Sequence, residues 1–301
     1  MINKRYIHNT KQSQFLFKKL TQQIANTAPK EYNQFQLSKP VGLSTPPKPN
    51  VMYKEGNSFK DMFDERKTSQ RTKELEKEFQ QSGFFDMYAF RKTKGKLFLS
   101  PKSFWNAKFS LYFPHLVGSK LSTGEITNIE DSMRGKITVV KYAGNKVGES
   151  MVTSFFQKRS KDNKNPVVID YLNDENAINN DFNFNGSCPP QVQIVEINMV
   201  DNSLKSFLLK LTLFSLRRLI TSTKRQNLYF ICNRNQLPFG KREELGVNNV
   251  YAGYVFIVDP HLKIRWLGCG EASDDDVCTL WKSVKAIKKE FTSDGQCSIK
   301  K

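Results

Sequence analysis

The feature that most constrains the fold is a pair of strand-like segments with a helix-like segment between them. Lys136–Tyr142 is rich in β-branched residues and predicts a buried strand, and Gln191–Met199 alternates apolar and polar residues like a second strand. Between them, Ser150–Lys161 predicts a helix. Because a strand, a helix and a strand in this order form a crossover between parallel strands, the chain is predicted to contain a parallel β-α-β unit.

The second half of the chain extends this pattern. Asn227–Cys232 predicts a strand, and residues 254–267 predict a hairpin that turns at Asp259-Pro260, since proline suits the second position of a turn. Ser273, followed by three aspartates, predicts the start of a last helix. The order strand, helix, strand, helix, strand, hairpin, helix predicts an α/β fold of the thioredoxin-like type. It is a mixed sheet flanked by helices, here with an N-terminal helical and aromatic arm.

The residues of a thiol enzyme are missing from this frame. Such an enzyme needs a thiolate at the N-terminus of the helix after the first core strand, where the helix dipole lowers its pKa, but residues 143–152 contain no cysteine. Gly253 occupies the place before the hairpin where a redox member of the superfamily has a cis-proline. The remaining candidate thiols are Cys269 and Cys278, whose acidic neighbours would raise a thiol pKa. We predict no catalytic residue and leave a role of these two cysteines open.

Cysteine and histidine usage also argues against a metal or cofactor. The five cysteines contain no Cys-x-x-Cys pair, and the three histidines lack the spacing of a zinc site. An odd number of irregularly spaced cysteines is not typical of a secreted disulfide framework. We expect no metal and no cofactor.

The chain is strongly basic, with 47 Lys and Arg against 29 Asp and Glu and a net charge of +18. This charge favours an anionic partner, such as nucleic acid, an anionic lipid surface or an acidic protein face, although a solvated basic surface is the simpler explanation. The first 30 residues contain no Asp or Glu, which is typical of a mitochondrial transit peptide. A basic disordered tail is the alternative for this segment.

Composition shifts predict the domain organisation. The expected segments are a transit peptide (1–35), a proline-rich linker (36–57), a helical and aromatic arm (58–112), a thioredoxin-like domain (113–292) with an Asn-rich surface insertion (162–190), and a C-terminal tail (293–301). The insertion is expected to be too polar to contribute to the core.

Residues 84–113 interleave aromatic residues with lysines and allow two interpretations. Such residues can stack on bases and neutralise phosphates, as in an RNA-binding protein. We favour a strand-and-loop arm whose aromatic residues dock on the main core, because the spacing matches no RNA-binding motif. No specific nucleic acid partner is therefore expected.

The predicted helix Leu204–Ser222 is apolar over more than one face and is interrupted by basic residues. It is too charged for a transmembrane span. Part of it would face the sheet, and the remaining apolar and basic face would hold a hydrophobic helix of a partner protein or lie on an anionic lipid surface. The candidate contact residues are Phe207, Lys210, Leu211, Phe214, Arg217 and Arg218. The alternative is an ordinary core helix.

Four segments carry a resemblance to a known family. They are Gly95–Phe98, Leu111–Gly118, Gly135–Val140 and Gly253–Ala272, within a match from about residue 40 to 291. In these the chain resembles the mitochondrial assembly factors that accompany newly made subunit a (subunit 6) into the membrane sector of ATP synthase, and it most resembles a fungal member.

The resemblance implies a non-enzymatic chaperone that is peripheral to the matrix side of the mitochondrial inner membrane. Its implied partners are subunit a and assembly intermediates of the F0 sector. The family defines no catalytic residues, so none is carried over. Two alternatives stay open: a thioredoxin-type thiol oxidoreductase that uses Cys269, and a mitochondrial RNA-binding protein that uses the aromatic arm.

Overall fold

The fold is taken from a computed structural model. It describes residues 34–51, 53, 63–81, 84–159, 168–174, 176–182, 190–200 and 215–298. The strands of this part of the chain are β1 (Phe35–Gln36), β2 (Phe98–Leu99), β3 (Val117–Lys120), β4 (Ile126–Asn128), β5 (Ile137–Ala143), β6 (Gln157–Arg159), β7 (Val168–Asp170), β8 (Val192–Val200), β9 (Tyr229–Asn233), β10 (Gly253–Val258) and β11 (Ile264–Cys269). Of these, β5, β8, β9, β10 and β11 lie close to the five predicted strands.

Helices of the described part flank these strands. They are α1 (Glu65–Gln81), α2 (Phe84–Thr93), α3 (Ile129–Met133), α4 (Lys146–Thr153), α5 (Ala177–Phe182), α6 (Thr223–Asn227), α7 (Phe239–Glu244) and α8 (Asp274–Ser298). Residues 215–219 are also helical. Among the helices described, none combines the length and the apolar character that crossing a membrane requires.

A seven-stranded mixed sheet forms the centre of the molecule, in the order β11-β10-β5-β8-β9-β3-β4. β5, β8 and β9 are parallel, and β10 runs antiparallel to β5 and forms a hairpin with β11. A parallel crossover that is followed by an antiparallel hairpin and a terminal helix is the thioredoxin-like arrangement. The predicted fold class is confirmed.

Alternation along the strands produces two apolar cores. On one face of the sheet, Val140 packs with Phe230 and Phe256, and on the other, Val139 packs with Phe155, Trp266 and Trp281 of the last helix. Because neighbouring residues of a strand point to opposite faces, β5 is buried along its whole length. This burial fixes the position of the loop that follows β5.

The aromatic arm covers the β11 edge of the sheet. The Trp105 N–H donates to the Arg265 carbonyl at 2.7 Å, the Arg265 Nε donates back to the Trp105 carbonyl at 2.7 Å, and the Trp266 indole donates to the Pro101 carbonyl. Trp105 and Phe113 are buried. The predicted docking of the arm on the core is confirmed, although residues 84–93 form a helix rather than the expected strand or loop.

The expected helix boundaries were wrong in two places. The helix after β5 begins at Lys146, four residues before the expected start, because the Asn145 side chain caps it by accepting from the Gly148 N–H at 2.8 Å. It ends at Thr153, and β6 follows where the helix was expected to continue. The expected helix 204–222 lies largely outside the described residues, and Ser222 is instead the N-cap of α6.

Two segments that were interpreted as peripheral contribute to the packing. The Asn-rich insertion buries Tyr171 and Phe182, whose rings lie 4.2 Å and 5.3 Å from the Trp281 ring, so the expectation that it avoids the core was wrong. In the proline-rich segment, Leu43 is buried and exchanges both backbone hydrogen bonds with Tyr112. Apolar side chains at a few positions anchor both segments despite their polar composition.

The start of the last helix is as predicted. Ser273 Oγ accepts from the Asp276 N–H at 3.2 Å, and the Asp276 carboxylate accepts from the Ser273 N–H at 2.9 Å, which is a reciprocal capping arrangement. The helix continues to Ser298, well into the predicted C-terminal tail.

Candidate functional site

The loop between β5 and α4 is where a thiol enzyme of this fold would hold its reactive group. Asn145 stands there as the helix cap, and its Nδ2 also donates to the Val250 carbonyl at 2.5 Å, which ties the loop to the segment before β10. Residues 143–150 present a capping amide and glycines but no thiol. This helix start can therefore stabilise a chain connection, but it cannot attack a disulfide.

Two glycines bring the backbones of α4 and β10 into direct contact at this place. A Cβ on Gly253 would lie 2.2 Å from the Gly148 carbonyl oxygen, and a Cβ on Gly148 would lie 2.8 Å from the Ala252 carbonyl. Contacts under 3.0 Å are not found for real Cβ atoms, so both positions require glycine. No cis peptide bond occurs in the described part of the chain, and Gly253 is the first residue of β10. This position therefore holds a glycine in direct backbone contact with α4.

The cysteines with described side chains are free and are largely buried. Cys269 is fully buried, its Sγ donates to the Phe98 carbonyl at 3.4 Å, and burial raises the pKa of its thiol to about 11. Burial also raises the pKa of the Cys232 thiol. Cys278 is half-buried and is not bonded to Cys269. This arrangement disfavours thiolate chemistry at neutral pH.

A buried ionic cluster, formed by Lys141, Glu149, Glu196 and Arg225, lies under the loop. Lys141 Nζ lies 3.0 Å from Glu196 Oε2 and 3.4 Å from Glu149 Oε1, and Arg225 Nε donates to Glu196 Oε1 at 2.5 Å. Arg225 also donates to Asn173 Oδ1 at 2.7 Å, so the cluster connects β5, β8, α4, α6 and the turn after β7. Lys141 and Glu196 are nearly inaccessible to solvent.

Electrostatics inside this cluster favour the charged forms. Burial alone raises the pKa of Glu196, but the hydrogen bond from Arg225 and the charge of Lys141 outweigh it and hold the pKa below its ordinary value. The pKa of Arg225 is raised, because the Glu196 interactions outweigh its own burial. A fully paired cluster of this kind fixes the geometry of the elements that it joins and offers no reactive group.

The described end of the predicted contact helix lies beside the β3–β4 turn. Arg217 Nε donates to the Leu121 carbonyl at 2.5 Å, and Ile220 is buried against Leu121 and Tyr229. Leu219 points outward and is 76% exposed, and Ile126 of β4 is 74% exposed. β4 is the last strand of the sheet order. This end of the sheet therefore presents apolar side chains next to basic ones.

Of the six predicted contact residues, two are described. Arg217 is half-buried and anchors the segment to the turn, so its side chain has a structural role, whereas Arg218 is exposed. Phe207, Lys210, Leu211 and Phe214 lie outside the described residues. Exposed Leu219 and Ile126 were not among the six, because exposure of a single apolar residue leaves no periodic signal in the sequence.

The strand order and the thiol-free helix start define the class of the protein. It is a thioredoxin-like domain whose reactive loop is replaced by a backbone contact between Gly148 and Gly253. The profile of the family described as ATP10 protein matches residues 22–287. The chain belongs to this family, which confirms the resemblance found in the sequence.

Relatives in yeasts match nearly the whole chain. The chain is 45% identical over 267 residues to the "Mitochondrial ATPase complex subunit ATP10" of Candida glabrata, covering 89% of this chain and 90% of that one. It is 44% identical over 285 residues to the protein of the same name in Saccharomyces cerevisiae, covering 94% and 98%. Among solved structures, a DsbF homologue from Corynebacterium diphtheriae is similar at 14% identity and a TM-score of 0.35, over 60% of this chain and 90% of that one.

Proposed function

We propose that the protein is a non-enzymatic assembly factor of the mitochondrial ATP synthase. It binds newly made subunit a (subunit 6) and promotes the incorporation of that subunit into the F0 sector. The observation that carries the proposal is the near full-length identity of 44% to a yeast protein named as a subunit of the mitochondrial ATPase complex. The choice of subunit a as the client rests on the sequence resemblance described above.

The geometry of the loop between β5 and α4 supports a protein that binds a partner without catalysing a reaction. A thiol oxidoreductase would need an accessible thiolate at the start of α4, where Asn145 and the Gly148–Gly253 contact are found. Cys269, the alternative nucleophile, is fully buried and its pKa is raised by burial to about 11. The thiol alternative therefore has no accessible thiol at the start of α4 or at Cys269.

Burial of aromatic residues in the arm argues against the RNA-binding alternative. Base stacking needs aromatic faces that are open to solvent. Phe98, Trp105 and Phe113 of the arm are buried in the core instead, although Phe109 is 72% exposed. The arm thus completes the fold rather than presenting a row of rings.

We place the protein at the matrix side of the inner membrane, as a peripheral protein. The acid-free N-terminus supports import, and the net charge of +18 supports attraction to an anionic lipid surface. We also propose that the β4 end of the sheet contacts the client or the membrane. Exposed Leu219 and Ile126 lie there beside Arg218, and the segment that precedes them contains Phe207, Lys210, Leu211 and Phe214.

The test is complementation of yeast cells that lack the family member. The protein and a variant with all five cysteines replaced by serine are expressed, and assembled ATP synthase is quantified on native gels. Both are expected to restore the assembled complex. Restoration by the wild-type chain alone, with the variant folded and imported, would support the thiol alternative. Failure of both to restore assembly would contradict the proposed function.

A further inference from the structure

A cavity of about 510 Å³ lies at the carboxyl end of β9. Its lining includes His115 and Val117 at the start of β3, and Asn233 and Gln236 at the end of β9 and just beyond. The carboxyl ends of parallel strands are where open α/β sheets bind ligands. The volume is within the range of sites for small ligands or for a large side chain with its flanking backbone.

A buried histidine is held in one orientation at this cavity. His115 is 4% exposed and Glu130 is 2% exposed, and the Glu130 carboxylate contacts His115 Nδ1. The His115 backbone N–H donates to the Tyr53 hydroxyl at 2.6 Å, which fixes the second ring of the lining. Because the carboxylate occupies Nδ1, Nε2 is the ring nitrogen left to hydrogen-bond a ligand. An imidazole that is buried and held in one orientation is an ordered part of the cavity wall rather than a mobile surface side chain.

In the cavity wall, the Gln236 side-chain amide forms two hydrogen bonds with the Val117 backbone. Gln236 Oε1 accepts from the Val117 N–H at 2.8 Å, and Gln236 Nε2 donates to the Val117 carbonyl at 2.8 Å. Asn50, Asn233 and Asn235 add three exposed carboxamides to the lining. Carboxamides offer the same donor and acceptor as a peptide group, so the rim can hydrogen-bond an extended chain.

The described lining holds few charged side chains for a very basic protein. None of the described residues that line the cavity is Lys, Arg, Asp or Glu, although the chain has 76 of them in all (47 basic and 29 acidic). A phosphate or a carboxylate would find no Lys or Arg among these described residues to compensate its charge. Val51, Tyr53 and Val117 offer apolar surface, so the ligand combines an apolar part with neutral hydrogen-bonding groups.

We propose that this cavity binds an uncharged polypeptide segment of the client, with one apolar side chain between Tyr53 and Val117. A backbone group of the segment hydrogen-bonds His115 Nε2, and the rim carboxamides bind the neighbouring peptide groups. The inference rests on the proposed function, because a client from a membrane sector is rich in uncharged apolar segments. It assigns a second contact region at the opposite end of β3 from the turn at Leu121.

The experiment places the photo-crosslinker p-benzoylphenylalanine at position 235 of the full-length protein in mitochondria. Position 180 is the matched control, since Asn180 is an exposed asparagine on α5. Mitochondrial translation products are radiolabelled before irradiation. Position 235 is expected to crosslink to a newly made polypeptide at least ten times more than position 180, and Asn235→Trp, which fills the mouth, is expected to reduce client recovery several-fold relative to Asn180→Trp.

The outcomes separate the two proposals. If the wild-type protein recovers newly made subunit a but position 235 crosslinks no more than position 180, the cavity proposal fails and the proposed function stands. If native mass spectrometry of the purified protein finds a small organic molecule that Asn235→Trp excludes, the cavity is a small-molecule site and the polypeptide assignment is overturned. If the wild-type protein recovers no newly made subunit a, the proposed function fails, and the cavity proposal fails with it.

Discussion

Gly253 and Gly148 touch through their backbones, because a Cβ on Gly253 would lie 2.2 Å from the Gly148 carbonyl oxygen. We predict that Gly253→Ala destabilises the fold by about 1–3 kcal/mol or more, since the overpacked atoms are backbone and cannot turn aside. Urea unfolding of the purified protein measures the change.

Gly144→Ala is the matched control in the same loop. Its Cβ would meet the Val250 carbonyl oxygen at 3.5 Å, which is ordinary van der Waals contact. The control is expected to change the free energy of unfolding by less than about 0.5 kcal/mol, as for substitutions outside the destabilising classes. Equal effects of the two variants would show that α4 and β10 are not in contact there.

The buried cluster predicts a pH-dependent stability. The folded pKa of Glu196 is lowered, so its contribution is present above the unfolded value near 4.5 and is lost as the pH falls through the folded pKa. Glu196→Gln leaves Arg225 without its carboxylate and Lys141 with Glu149 alone, and is expected to cost about 3–5 kcal/mol at pH 7. The difference from the wild type should shrink below pH 4.5.

The control for this prediction is Glu125→Gln. Glu125 pairs with Lys120 at 3.2 Å but is 61% exposed, so its loss is expected to cost less than about 1 kcal/mol. Denaturant unfolding between pH 4 and 8 compares the two variants. A Glu196→Gln variant as stable as Glu125→Gln at pH 7 would contradict the cluster geometry.

Thiol reactivity should follow burial. At pH 8 a thiol with a pKa of about 11 is only about 0.1% thiolate, so Cys269 is expected to resist iodoacetamide until the protein is unfolded. Cys232 is expected to behave likewise, whereas half-buried Cys278 reacts in the native state. Mass spectrometry of alkylated peptides gives the order, and rapid native labelling of Cys269 would reopen the thiol alternative.

The proposed contact surface at the β4 end of the sheet can be tested by substituting the exposed residue Leu219. Leu219→Asp places a charge where 76% of the side chain is exposed, so we expect unchanged stability and a several-fold loss of client or membrane contact. Val168→Asp changes another exposed apolar residue, which is 51% exposed, and is expected to have no effect. Co-purification of labelled translation products and flotation with anionic vesicles compare the variants, and identical behaviour would exclude this surface.

The order of the core elements could be predicted from the sequence because each strand carries its own signal. Lys136–Tyr142 is β-branched, and the Ser273 cap precedes a periodic apolar helix. The lack of a thiol at the start of the helix after β5 could also be predicted, since residues 143–152 contain no cysteine.

The remaining features depend on contacts between distant segments. Tyr171 and Phe182 look like isolated aromatics in an Asn-rich stretch until Trp281 packs against them. The burial of His115 has no local signal in the sequence, because its partners Glu130 and Tyr53 come from other segments of the chain. Long-range pairing of this kind is what composition and periodicity do not encode.

The central claim is that this thioredoxin-like domain, which has no thiol at the start of α4, binds newly made subunit a. The direct measurement is recovery of radiolabelled mitochondrial translation products with the tagged protein in which all five cysteines are serine, followed by identification of the labelled bands. We predict that subunit a is enriched at least ten-fold over the other products, at the level reached by the wild-type protein. Recovery of no subunit a with either protein would contradict the claim.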